Sequence, residues 1–233
     1  MLHKTRAIII NYIKYSESSI ITKIFTENFG LQSYIINGVR SEKAKIKIAL
    51  FQPLTLLEIV VYPKKQGQNI SRIAEAKCEY IFVGILADFK KTAIATFISE
   101  ILHKTLQEDA PDAPFFNFLT EAILFLDNPE SNEENFSLQF LLKMASFLGF
   151  LPENMTAIFE ELHQQKAINM RPESFAQEAN ILQILANTPF QANFSLKSSL
   201  RRELVDYMLL FYRINLDNFG TIKSLGILRE ILK

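Results

Sequence analysis

Little in this chain can carry covalent chemistry. Its 233 residues hold one cysteine, Cys78, no tryptophan and three histidines, His3, His103 and His163, set far apart. A single thiol excludes an internal disulfide, and structural zinc needs about four Cys or His ligands at short paired spacings, so neither a metal nor a cofactor is expected. Cys78 reads as a small buried hydrophobe at the end of a strand. The histidines read as surface or partly buried structural residues. No Gly-rich phosphate loop, Gly-x-Ser-x-Gly elbow or His-Glu-x-x-His occurs. Pro111-Asp112 followed by Glu121 approaches a nuclease carboxylate pattern, but Ala122-Ile123 stands where such a pattern needs lysine. An acidic helix start explains it better, and no enzyme is expected. Long apolar runs are missing too. None reaches the roughly 18 residues of a membrane span, and the stretch from Ala7 to Ile13, interrupted by Asn11, reads as a strand and not as a signal peptide. The chain is expected in the cytoplasm, without membrane contact.

Net charge is also absent, with 25 Lys/Arg against 25 Asp/Glu, yet the balance is unevenly placed. Residues 1–80 hold 12 Lys/Arg against 6 Asp/Glu, a balance of +6, and residues 81–233 hold 13 against 19, a balance of −6. Of the 20 phenylalanines, 17 lie after residue 80. A basic, Ile- and Val-rich first unit therefore precedes an acidic, Phe- and Leu-packed one. The expected division is 1–80 and 81–233.

Alternating runs predict strands at about 5–14, 19–27, 31–37, 54–62 and 70–78, separated by turn chemistry at Tyr15–Ser18, Asn28–Gly30 and Lys64–Asn69, where Gly67 suits a hairpin. Between the third and fourth, Ala44 to Phe51 permits a short helix or a basic loop before Pro53. Five antiparallel strands with an inserted segment after the third resemble the Greek-key barrel called the OB-fold. From residue 81 the period becomes 3.6. Helices are predicted at 81–107 with a break near Asp88, 113–127, 134–148, 155–166, 174–187, 196–214 and 221–232. The expected class is α+β in two domains, an OB-fold barrel followed by an all-α region.

Positive charge concentrates in one loop. Arg40, Lys43, Lys45 and Lys47 fall in eight residues opposed only by Glu42, and Lys64-Lys65 form a second cluster at a hairpin tip. Such clusters bind polyanions by releasing counterions, without a catalytic group. Strand alternation puts Lys23 beside Phe25 and Gln32 beside Tyr34, the pairing of cation and ring on which single-stranded bases stack. Phe25 suits the core equally well, and Tyr34 equally suits packing against the helices. The candidate DNA-binding residues are Lys23, Tyr34, Arg40, Lys43, Lys45, Lys47, Lys64 and Lys65.

Several segments taken in order resemble the RecO family of bacterial recombination mediators. They are Phe25-Thr26-Glu27 with Gly30, Gly38-Val39-Arg40, Gln52-Pro53, Phe147-Leu148-Gly149-Phe150-Leu151-Pro152, Leu200-Arg201-Arg202-Glu203-Leu204 and Lys223-Ser224. The resemblance implies an OB-fold and a helical domain, binding to single- and double-stranded DNA, and annealing of complementary strands. It also implies partnership with RecR and with the C-terminal tail of the single-stranded-DNA-binding protein, and through them loading of RecA in recombinational repair at the nucleoid. For the acidic tail, Arg201 and Arg202 are candidate rim residues, or else they only cap and solvate their helix. Many members hold zinc through four cysteines after the Leu-Gly-Phe-x-Pro segment, but Glu153 to Ala186 here contains none. An adaptor protein without DNA affinity is the alternative reading.

Overall fold

The computed structural model describes residues 2–41, 44, 46–62, 69–107, 111–169, 171–192 and 194–231. Five strands, β1 (His3–Lys14), β2 (Ile20–Thr26), β3 (Gly30–Ile36), β4 (Leu56–Val61) and β5 (Ile70–Cys78), close a barrel in the order β1-β2-β3-β5-β4. Only β3 and β5 run parallel; the other described pairs are antiparallel. A long β1 makes closure possible. Its first half pairs with β4 and its second half with β2, across a register shift between Ile9 and Asn11 that bends the strand around the barrel. After β3 a 3-10 turn at Ile48–Phe51 lays Phe51 into the barrel core, and Pro53 follows it.

Alternation sorts the barrel residues into two apolar clusters. Ala7, Ile9, Ile24, Tyr34, Ile36, Leu57 and Ile59 fill the interior. Ile8, Ile10, Phe25, Leu31 and Leu56 point outward and join the helical core. The barrel thus rests on the helices through part of its outer surface. Phe25 meets Phe115 edge-on at 5.4 Å and stacks on Phe116 at 6.0 Å.

The helical region comprises α1 (Gly84–Ala87), α2 (Phe89–Thr105), α3 (Ala113–Asp127), α4 (Phe136–Phe147), α5 (Thr156–Gln164), α6 (Ala176–Asn187), α7 (Ser198–Asn215) and α8 (Leu225–Ile231). Asp88 breaks the first predicted helix because its side chain accepts from the Lys90 N–H and starts α2. Asp112 does the same for α3, accepting from the Phe115 N–H at 2.9 Å. The acid of the nuclease-like pattern is therefore a helix cap. Gly149, at φ +81°, ends α4 in the left-handed region that glycine adopts without strain. On α7, Leu204, Val205, Met208, Leu209, Phe211 and Tyr212 are buried, the apolar stripe that the 3.6 period predicts.

Residues 153–186, where zinc-binding relatives carry cysteines, form α5, a 3-10 turn at Pro172–Phe175 and α6. Aromatic packing holds them. Phe159 and Phe175 stack at 4.6 Å with rings 5° apart, and Tyr207 of α7 stands edge-on to both at 5.5 and 5.4 Å. Among the described residues no group of three or more His, Cys, Asp or Glu could hold a metal ion. Truncating Phe175 removes a buried ring that both partners need, so Phe175→Ala should lower unfolding free energy by about 3 kcal/mol. The check is a denaturant titration in which the midpoint falls and the slope is unchanged.

Candidate nucleic-acid interface

The part of the barrel not covered by helices presents a continuous row of side chains. Register pairs Ile13 with Ile21, Ile21 with Ile35 and Ile35 with Arg72, and the Tyr62 N–H donates to the Arg72 carbonyl at 3.0 Å. The row therefore crosses β1, β2, β3 and β5 and reaches Tyr62, the residue after β4, roughly 19 Å at the usual strand spacing. Asn11, Lys23, Ser33 and Ile70 form the row beside it. Ile13, Tyr15, Tyr62 and Ile70 are exposed, although such side chains ordinarily seek cover. Exposed tyrosines beside arginine make a surface on which bases can stack.

Arg40 sits at one end of this wall. Its backbone N–H donates to the Ser18 carbonyl at 3.2 Å and its guanidinium to the Ser16 carbonyl at 3.1 Å, which draws the basic loop onto the β1–β2 turn. Glu17 lies in that turn. Lys14 lies exposed just before it, and Lys47 is exposed at the start of the 3-10 turn. Lys43, Lys45, Lys64 and Lys65 lie outside the described residues.

Ion pairing divides the barrel's charges. Lys4 pairs with Glu58 at 2.7 Å, and Arg6 with Glu79 at 2.9 Å and Glu27 at 3.9 Å. Arg6 also lies over the Phe116 ring at 5.2 Å. Three of the acids are thereby engaged away from the wall. Among the described residues no carboxylate pairs with Lys14, Arg40 or Arg72. A sequence count cannot distinguish engaged cations from available ones.

The expected stacking residue Tyr34 needs correction, and Phe25, open between core and surface, belongs to the core. Tyr34 is not on the surface: it is fully buried in the barrel interior, its hydroxyl donates to Gln32 Oε1 at 3.2 Å, and burial pushes its pKa up to about 12. Gln32 and Tyr34 share a face, as alternation requires, but that face is the inner one. Phe25 shares the outer face with Lys23, and the helices cover it there. Lys23 marks the border. It is half-buried beside His103 of α2, whose pKa is lowered by burial first and then by Lys23 and Lys104, against an opposing Glu100. Asn11 bonds the same imidazole at 3.0 Å. Cys78 also differs from expectation. It is exposed, its thiol donating to the Tyr80 carbonyl, although its backbone still pairs with Leu57 of β4.

Sequence reasoning missed Tyr62, Tyr15, Lys14 and Arg72. A lone arginine between Ser71 and Ile73 carries no cluster signal, and only strand register sets it among isoleucines and beside Tyr62.

On the helical side, Arg201 and Arg202 line a shallow apolar pocket with Val205, Leu225, Leu228 and Arg229, between the start of α4, α7 and α8. Arg201 is largely buried and held by Glu134 at 3.3 Å and Asn135 at 3.5 Å, so it ties α7 to the start of α4. Arg202 bonds its own helix at the Ser198 carbonyl, and Arg229 pairs with Asp206. The pocket thus has an apolar floor and a rim that sets Arg201, Arg202 and Arg229 beside Ser137 and the Glu134 carboxylate.

Family comparison agrees with this architecture. Residues 1–82 match the model of the recombination protein O N terminal and residues 86–157 that of its C terminal. The chain is 37% identical to the DNA repair protein RecO of Flavobacterium psychrophilum over 98% of both chains. It is 35% identical to that of Flavobacterium johnsoniae, again over 98% of both, and 31% to that of Phocaeicola vulgatus over 99% of both. Joined to a closed five-stranded barrel seated on helices, these matches establish that the chain belongs to the RecO family of DNA repair proteins.

Proposed function

We propose that the chain binds DNA through the outer barrel wall, without strong sequence preference, and anneals complementary strands. The observation that carries this reading is the row Tyr62–Arg72–Ile35–Ile21–Ile13, flanked by Lys14 and Arg40, cations without a described carboxylate partner. Annealing makes no covalent bond. It needs two polyanions brought together with their repulsion reduced and their base edges free, and contacts to phosphates and base faces leave those edges available. Lys47 adds to the phosphate contacts, with Lys23 at the border; Lys43, Lys45, Lys64 and Lys65, outside the described residues, are proposed as phosphate contacts from their sequence clusters alone, and Tyr62 and Tyr15 take the stacking role in place of Tyr34. In this reading the chain works beside RecR and helps RecA load onto coated single strands.

The test is oligonucleotide binding and annealing across a salt series. Affinity should fall steeply and linearly on logarithmic axes, with little difference between sequences. Salt-independent annealing, or no binding at low salt, refutes the wall assignment and leaves the adaptor reading standing. Cleavage of DNA in Mg²⁺ would revive the nuclease reading.

A second docking role is proposed for the pocket near α7. Its apolar floor and arginine rim suit an acidic tail ending in an aromatic residue, the chemistry of the single-stranded-DNA-binding protein's C-terminus. Arg201 contributes mainly by holding the pocket's wall, Arg202 by charge, and Arg229 by a charge that the tail's carboxylates would have to draw from Asp206. Arg202→Ala/Arg229→Ala should weaken a tail peptide at least about tenfold, the value of one or two charged hydrogen bonds. Isothermal titration reads it; unchanged affinity removes both residues from the site.

A further inference from the structure

A small polar cluster borders the wall where α2 meets the barrel. Asn11 and Lys23 are register partners on β1 and β2, in the row beside Ile13 and Ile21. Ser99 pins α2 to that edge, its hydroxyl donating to the Ile10 carbonyl at 3.0 Å. One helical turn later on the same face comes His103, an exposed residue whose Nδ1 lies 3.0 Å from Asn11 Nδ2. The charges that act on this ring are Lys23 of β2 and Lys104 and Glu100 of α2. Glu100, the only acid of the three, is engaged elsewhere. Its carboxylate accepts from the Lys223 and Ser224 N–H groups at 2.9 and 2.8 Å and from the Ser224 hydroxyl at 2.7 Å. Lys104 donates to the Phe219 carbonyl at 2.9 Å. Among the described residues no carboxylate pairs with Lys23 or His103. An ammonium group and a ring able to gain a proton, side by side without an acid of their own, make a receptor for an anion.

Resting on the DNA reading above, we infer that Asn11, Lys23 and His103 hold a phosphate of the bound strand at the barrel-to-helix edge of the wall, and that His103 takes up one proton as it does so. The proton comes from water, and no covalent bond to the DNA forms. Asn11 suits both states of the ring. Its amide N–H donates to the unprotonated nitrogen of the neutral imidazole; turned over, its Oδ1 accepts from one N–H of the imidazolium and leaves the other for the phosphate. In the free protein burial first, and then Lys23 and Lys104, hold the pKa of His103 below its ordinary value, against Glu100. A phosphate offsets the repulsion from both lysines and raises that pKa. Between the free and bound values binding therefore takes up a proton, and affinity rises as pH falls. α2 becomes part of the DNA track, although residues 81–233 as a whole are acidic.

The test is fluorescence anisotropy of a labelled oligonucleotide with the full chain at fixed salt, for the wild type and His103→Gln. Beside it, NMR follows the titration of the wild type's three imidazoles with and without saturating oligonucleotide. Wild-type affinity should rise about tenfold from about pH 8 to about pH 6, each unit by which DNA raises the ring's pKa being worth at most a factor of ten. His103→Gln keeps every other titrating group, so it should match the wild type near the upper pH and show a much flatter profile below it. In the wild type DNA should raise the pKa of His103 by more than about one unit and leave His3 and His163 unmoved. A variant profile as steep as the wild type's, or a His103 titration that DNA does not move, overturns the inference and leaves the DNA reading intact. Absence of oligonucleotide binding at every pH refutes the DNA reading and this inference together. The imidazole titration uses the wild type alone, so it decides the matter even for a variant that fails to fold.

Discussion

Replacing Lys14, Arg40 and Arg72 together by alanine should weaken single-stranded DNA binding about a hundredfold at ~0.1 M salt and flatten the salt slope by about 2. Each phosphate neutralised on a single strand contributes about 0.7 to that slope, and at this salt each such contact is worth roughly the same in the logarithm of affinity. Three contacts therefore account for both figures. Arg72 should contribute more than charge, because Tyr62 and the isoleucines beside it make a surface for bases as well as phosphates. Lys4→Ala/Arg6→Ala makes the informative control. It removes nearly as much positive charge from the same barrel, but these residues are already paired with Glu58, Glu27 and Glu79. Its effect on the salt slope should be small. Fluorescence anisotropy of a labelled oligonucleotide at several salt concentrations measures both variants, and equal losses would show that total barrel charge matters and the wall does not.

Gly84→Ala should be among the most damaging single substitutions in the helical region. Alanine is favoured over glycine in a helix by about 1 kcal/mol, so propensity alone calls the change stabilising. Packing decides otherwise. The added methyl would lie 1.9 Å from the Asp127 carbonyl oxygen and 2.8 Å from its carbon, and both are backbone atoms that no rotamer change can move. Relief requires shifting α1 away from α3, which pulls the Val83 and Ile85 N–H groups off the Asp127 carboxylate. Overpacking of about 1–3 kcal/mol then adds to roughly 1–3 kcal/mol for each buried donor left unpaired. A loss of about 4 kcal/mol is expected. Gly226→Ala separates the two effects, since a methyl there meets nothing within 4 Å. It should leave stability unchanged or slightly raised. Thermal and denaturant melts of the two variants give the comparison, and a Gly84→Ala protein as stable as the wild type would mean that α1 is free to move.

Most elements could be read from periodicity. The predicted strand 70–78 is β5 to the residue, and 113–127 is α3. Both carry local signals, alternating residues in the first and an Asp cap followed by a 3.6-residue apolar stripe in the second. The barrel followed by helices was likewise announced by the fall in β-branched residues and the rise in phenylalanine after residue 80. Less of the interface could be read. The basic loop was visible as a cluster, but Arg72 and Tyr62 are ten residues apart in sequence and meet only through β4–β5 pairing. The opposite error came from Tyr34, an aromatic residue in a basic barrel that looked like a base platform until closure enclosed it.

The order of side chains along this chain determined which residues share a face, where helices begin and how charge divides between the two halves. Those are properties of neighbours a few positions apart, set by strand and helix periods and by caps. Which face turns outward was decided only by the tertiary structure, because a period of two is satisfied equally well with Tyr34 inside or outside. Closure of the barrel put Tyr34 within, the helices took Phe25, the carboxylates Glu58, Glu27 and Glu79 occupied Lys4 and Arg6, and the wall around Arg72 stayed open to solvent.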